Sequence, residues 1–90
     1  MATNIANKGF KLPTIYVRNL PWTVGHQELK NYFSNFGEIV KAHVLFDKQT
    51  GLSRGIAFVN FRERESLNKV FRKFDHLLEG KKLLIRNKQE

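Results

Sequence analysis

Two hydrophobic periods alternate along this chain, and the alternation occurs twice; no other feature limits the fold so tightly. Thr14 to Leu20 has period two, with Ile15 and Val17 on one side and Tyr16 and Arg18 on the other, as expected of a half-buried strand. After Pro21-Trp22-Thr23 the spacing changes, and Leu29, Tyr32, Phe33 and Phe36 fall on one helical stripe. Gly25 and Glu28 are spaced to cap that helix, and Gly37 stands where a left-handed residue would end it. Ile39 to Phe46 is β-rich, Asp47-Lys48-Gln49-Thr50-Gly51 has turn composition, and Ile56 to Phe61 supplies the return arm of a long-looped hairpin. From Glu63 to Phe74, Leu67, Val70, Phe71 and Phe74 draw a second helical stripe. Leu77 to Gly80 then turns the chain into a short last strand, Leu83 to Arg86.

The resulting order, β-α-β-β-α-β, predicts an α+β fold of the ferredoxin-like kind: a four-stranded antiparallel sheet with two helices on one face. Ninety residues suffice for one such domain, expected over residues 14–87 between a basic leader (1–13) and a short tail (88–90). The absence of cysteine excludes disulfides, thiolate catalysis and Cys-based zinc sites. The longest apolar runs are a few residues, against the roughly 20 that cross a bilayer, so no membrane partner is expected.

A sheet covered on one side leaves the other exposed, so an aromatic there needs a reason other than packing. Alternation assigns Ile15, Val17, Ala42, Val44, Ala57, Val59, Phe61, Leu83 and Ile85 to the core. It turns outward Tyr16 and Arg18, then Lys41, His43 and Leu45, then Ile56, Phe58 and Asn60, and finally Lys82, Leu84 and Arg86. No outward residue is acidic. The acids Glu28, Glu63, Glu65, Asp75 and Glu79 fall on the helices and the final loop. Sixteen Lys and Arg against eight Asp and Glu leave the chain at net +8, and this segregation of acids away from one face suits a polyanion there.

The segment Arg54-Gly55-Ile56-Ala57-Phe58-Val59-Asn60-Phe61 fits the octamer of the RNA-recognition motif at every fixed place except the third. Ile15-Tyr16-Val17-Arg18-Asn19-Leu20 resembles the companion hexamer, and the chain resembles that family from Thr14 to Arg86. The resemblance implies a non-catalytic binder of single-stranded RNA, with no cofactor, in which Tyr16 and Phe58 lie side by side as stacking platforms. The chemistry suits those residue types, because an unstacked base offers an apolar face that a flat ring covers while basic side chains hold phosphates. Arg54 would reach a phosphate or sugar edge. Arg18, Lys41, Lys82 and Arg86 would supply charge, each also readable as a solvated surface base, and Asn60 and Leu84 complete the expected RNA-facing set.

Ile56 departs from the family, which usually has a third aromatic there; an aliphatic side chain can cover a ribose but cannot stack. With Leu45 and Leu84 it suggests a second reading, an adaptor whose sheet or helical face binds a protein. Other constellations are poor. His26, His43 and His76 lack partners at metal-ligand spacing, and Ser34, Ser53 and Ser66 lack a nucleophile context. The glycine-rich phosphate loop of ferredoxin-like acylphosphatases is not seen. Trp22 is expected to pack on the first helix in preference to meeting RNA, its alternative role, and Arg62-Glu63-Arg64-Glu65 to be a solvated helix start.

Pro21-Trp22-Thr23, Leu29-Lys30, Phe36-Gly37, the Phe46-Asp47-Lys48 run and the aliphatic residue at 56 resemble a mitochondrial member of the family. That likeness implies a small protein that works with a larger pentatricopeptide-repeat partner to stabilise mitochondrial messenger RNA; outside such a complex the chain is expected to be a monomer. The leader is basic and acid-poor, as targeting segments are, but short and without Arg, so nucleus and cytoplasm stay open as alternatives.

Overall fold

The computed structural model describes residues 12–73 and 75–88. The expected leader, save Leu12 and Pro13, the residue Phe74 and the last two tail residues lie outside that description. The elements run β1 (Thr14–Arg18), α1 (His26–Phe33), β2 (Ile39–Phe46), β3 (Ser53–Phe61), α2 (Arg64–Arg72), β4 (Leu77–Leu78), β5 (Lys81–Lys82) and β6 (Leu84–Lys88). Strands β2-β3-β1-β6 form one sheet in which every neighbouring pair is antiparallel, so each helical crossover passes over one intervening strand. This is the ferredoxin-like α+β arrangement that the two periods predict.

Period two in the strands and period 3.6 in the helices meet in a single core. Ile15, Val17, Val44, Ala57, Val59 and Phe61 project from one sheet face against Leu29 and Phe33 of α1 and Leu67 and Val70 of α2, all buried. Fully burying a side chain of this size contributes roughly 1.5–3 kcal/mol, so the Phe33 and Phe61 rings are principal contributors. Ala42 and Ile85 are half-buried against the same cluster. A buried histidine joins the helices: Nε2 of His76 donates to the Val70 carbonyl (2.8 Å), which leaves Nδ1 to accept from the Tyr32 hydroxyl (2.7 Å). Burial pushes the Tyr32 phenol up from its ordinary pKa.

Local chemistry sets the element ends. The Glu28 carboxylate accepts the Gly25 N–H (2.9 Å) at the start of α1, as the capping spacing predicts. In the β2–β3 loop the N–H groups of Thr50 (3.1 Å) and Gln49 (2.8 Å) donate to Asp47 and hold its carboxyl below the usual range. At the opposite end of that hairpin Arg62 donates its N–H to the Glu38 carbonyl and pairs with the Glu38 carboxylate (3.1 Å).

Several expectations need correction. Helix α1 stops at Phe33, and Phe36 follows in a turn. Gly37 is not left-handed; its missing side chain matters instead because a Cβ would lie 2.7 Å from the Cβ of buried Ser66 and collide with its hydroxyl. The turn after α1 therefore packs directly on α2. Strand β3 begins at Ser53 rather than Ile56, because the hairpin pairs Phe46 with Ser53. Phe71 is 44% exposed, and Ser66 takes a place on the buried face of α2. The segment read as a plain turn at 77–80 holds the first arm and the turn of a separate hairpin, β4–β5, which carries Lys82 away from the four-stranded sheet.

Gly37→Ala is expected to destabilise the fold by about 1–3 kcal/mol through overpacking. Urea unfolding checks this. Adding Ser66→Gly should make the combined loss smaller than the sum of the single losses, because the two sites touch.

Candidate nucleic-acid interface

None of the four strands of the main sheet contains an Asp or Glu, and this follows from β1, β2, β3 and β6 read residue by residue. The uncovered face is therefore free of acidic side chains. Because Ile15 and Val17 are wholly buried, Tyr16 between them must point to the other face, and Phe58 does so between Ala57 and Val59. Tyr16 and Phe58 are direct cross-strand partners, with ring centroids 4.9 Å apart and planes 38° from parallel. The same row continues to His43 on β2 and Arg86 on β6, so two carbon rings lie between an imidazole and a guanidinium.

The next row toward the C-terminal end of β1 holds Ile56, Arg18 and Leu84. Here the surface changes from aromatic to aliphatic and cationic, and Leu84 is 53% exposed. In the row on the other side Lys41 opposes Asn60, which opposes Thr14; the Asn60 amide donates to the Thr14 hydroxyl (2.6 Å), which itself donates to the Leu12 carbonyl (2.9 Å). Asn60 thus ties β3 to β1. Leu45 sits in an irregular stretch of the β2–β3 ladder, between Val44 and Phe46, and does not continue the Ile56 row in register.

That irregularity has a local cause. Gly55 adopts φ +74°, and its carbonyl accepts the Leu20 N–H (3.1 Å) while its own N–H donates to the Ser53 hydroxyl (3.1 Å). A side chain at 55 would press on the Leu20 carbonyl at 3.3 Å. The left-handed residue lets β3 resume its alternation at Ile56 while Arg54 sits exposed at the edge of the row.

Two expected site features lie elsewhere. Lys82 is on β5, and its ammonium pairs with Asp75 at 3.1 Å, so it does not join the sheet face. Trp22 does not pack on the first helix; it is 74% exposed in the loop between β1 and α1. Among the described residues no group of three His, Cys, Asp or Glu side chains could hold a metal, and no helix is long and apolar enough to cross a membrane.

The sequence model of the RNA recognition motif matches residues 15–84, nearly all of the described fold. The chain belongs to that family. Over 73 residues it is 36% identical to the SRA stem-loop-interacting RNA-binding protein, mitochondrial, of Bos taurus, covering 81% of this chain and 66% of that protein. It therefore spans just under two thirds of that relative's length. Among solved structures, the RNA binding protein PG1 superposes with a TM-score of 0.79 at 30% identity, over 87% of this chain and 95% of that one. A Sxl-lethal protein/RNA complex gives 0.75 at 35% identity, over 83% and 47%. Measured against the RNA recognition motif octamer, Ile56 remains the departure, and it falls in the row next to the ring pair, with Arg18 and Leu84.

Gly55→Ala should cost about 1–2 kcal/mol, since a non-glycine residue held at positive φ is strained. Chemical denaturation checks the cost, and amide NMR shifts should change most at Leu20 and from Arg54 to Ile56. Unchanged stability would show that the ladder does not need the left-handed residue.

Proposed function

We propose that this chain binds single-stranded RNA on the uncovered sheet face, with bases stacking on Tyr16 and Phe58 and phosphates or sugars met by Arg18, Lys41, Arg54 and Arg86. The ring pair at 4.9 Å on a sheet with no acidic residue carries this reading. Two rings turned away from the core contribute little to folding, and each offers the π-face that an unpaired base covers. Membership in the RNA recognition motif family supports it, as do RNA-binding relatives and solved neighbours bound to RNA. The action is binding rather than catalysis. Lys82, engaged with Asp75, drops out of the contact set, and Asn60 serves chiefly to join β1 and β3.

The mitochondrial designation of the bovine relative supports a place in mitochondria. There the chain would act on messenger RNA together with a pentatricopeptide-repeat protein, as the sequence resemblance implies, with residues 14–87 as the binding unit. A second reading draws on the exposed Leu84 beside Ile56: part of the face meets a protein's apolar surface.

Phe58→Ala and Tyr16→Ala should each weaken single-stranded RNA binding by roughly 1–3 kcal/mol with the circular dichroism spectrum unchanged. If both fold and bind like the parent, bases do not stack there. Ile56→Phe separates the two readings. An RNA platform should bind RNA equally or more tightly with the added ring, whereas a protein-contacting face should lose partners recovered from ribonuclease-treated extract.

A further inference from the structure

The row of Arg86, Tyr16 and Phe58 ends at His43 on β2, one strand spacing of about 4.8 Å beyond Phe58. β2 is an edge of the sheet, so no strand separates His43 from the start of α1. There the His26 imidazole lies with its centroid 5.6 Å from that of His43 and its plane at 45° to it. Both rings are exposed, and neither has a hydrogen bond or ion pair among the described residues. His76, the third histidine, is the contrast: it is buried, with both ring nitrogens engaged.

The surroundings of the pair favour an anion. Lys41 lies two residues before His43 on the same face of β2, and Arg54 is the only charged residue of β3. The Tyr16 phenol and the Arg86 guanidinium complete the row. α1 brings Glu28 and Lys30, but the Glu28 carboxylate is turned to the Gly25 N–H. The carboxylate of Asp47, which follows β2, is likewise turned to the N–H groups of Gln49 and Thr50. The imidazoles are therefore left without a carboxylate partner. Two imidazoles this far apart can each donate to an oxygen of one phosphate, through charge-assisted bonds of about 2.7–2.9 Å. Protonating both with no anion between them sets like charges side by side, an opposition that an entering phosphate removes.

We propose that His26 and His43 form a phosphate site at the β2 edge, which takes up protons as a phosphodiester of the bound RNA strand enters, so that RNA affinity rises as pH falls through the range in which imidazole titrates. The inference rests on the RNA-binding reading above and adds regulation to the same face. A nucleotide stacked on Phe58 has His43 one strand away, so the RNA reaches the pair by continuing along the row. A complex that holds more protons than its separate parts is favoured by lower pH, by at most about tenfold per pH unit for each proton taken up. Lysine and arginine side chains stay charged throughout this range, so the attraction they supply varies with salt rather than with pH. Histidine makes the binding proton-linked.

The full chain is titrated with dye-labelled oligouridine of about eight nucleotides, at fixed ionic strength and at about pH 8, 7 and 6. Uracil does not titrate in this interval, and dye polarisation reads the binding. Affinity should rise roughly tenfold from the highest pH to the lowest. His26→Gln and His43→Gln should each reduce the rise, and the double variant should leave affinity level across the interval. His43→Lys in the His26→Gln background carries a fixed charge and should bind more tightly than that double variant at every pH. In proton NMR the imidazoles of His26 and His43 should protonate at a higher pH with the RNA bound than without it, while the His76 imidazole responds alike in both. The site is wrong if the affinity of the parent chain is level, or rises as much in the double Gln variant, while Phe58→Ala still weakens binding. That result would leave the sheet reading standing. Failure of the parent chain to bind at any pH in the interval would overturn both readings together.

Discussion

The antiparallel register between β1 and β3 is the constraint on which the rest depends. It pairs Val17 with Ala57 toward the helices and Tyr16 with Phe58 toward solvent. A slip of one residue would reverse every side chain of one strand, burying a tyrosine or exposing a valine, so the core enforces the alignment of the outer rings. The order of the sheet strengthens this coupling. These two strands are central, with β2 and β6 outside them, and each crossover must return over a strand already paired. The energy that holds the ring pair in place comes from the opposite face.

The helices are braced separately. His76 accepts from Tyr32 on α1 and donates to the last-turn carbonyl of Val70 on α2, while Gly37 lets the turn after α1 rest on Ser66. The first contact is a polar bridge through a buried imidazole and the second a close approach that a side chain at 37 would obstruct, and both lie beside the core that Leu29, Phe33, Leu67 and Val70 form with the sheet. By contrast, the loop holding Trp22 and the β4–β5 hairpin are joined mainly by polar contacts at the surface, at Asn19 and Thr23.

Charge is distributed by the same geometry. Acids occupy the helices, turns and loops, where several are engaged locally: Glu28 with Gly25, Glu38 with Arg62, Asp75 with Lys82 and Glu79 with Thr23. The strands carry none. The uncovered sheet face thus carries bases and no acids, whereas the helices carry both signs, which favours approach of a polyanion on the sheet side.

Element order, the buried strand residues and the outward Tyr16 and Phe58 were legible from the chain alone, because periods of two and 3.6 are local properties that burial reinforces. The cap at Gly25 and Glu28 was legible for the same reason, its partners being three residues apart. What could not be read there depends on residues distant in sequence. Gly37 carries the signature of a helix stop, yet its role is decided by Ser66. Lys82 alternates like a sheet residue, but its hairpin and Asp75 direct it elsewhere; Phe71 fits its helical stripe, yet it is left half exposed while Ser66 takes a buried place on the same helix. Trp22 has the composition of a core residue, and only the meeting of the β1–α1 loop with the β4–β5 hairpin leaves it exposed beside Arg18, Arg54 and Lys81. Periodicity determines which face a side chain takes; what occupies the space in front of that face is settled by chain segments whose meeting no local pattern encodes.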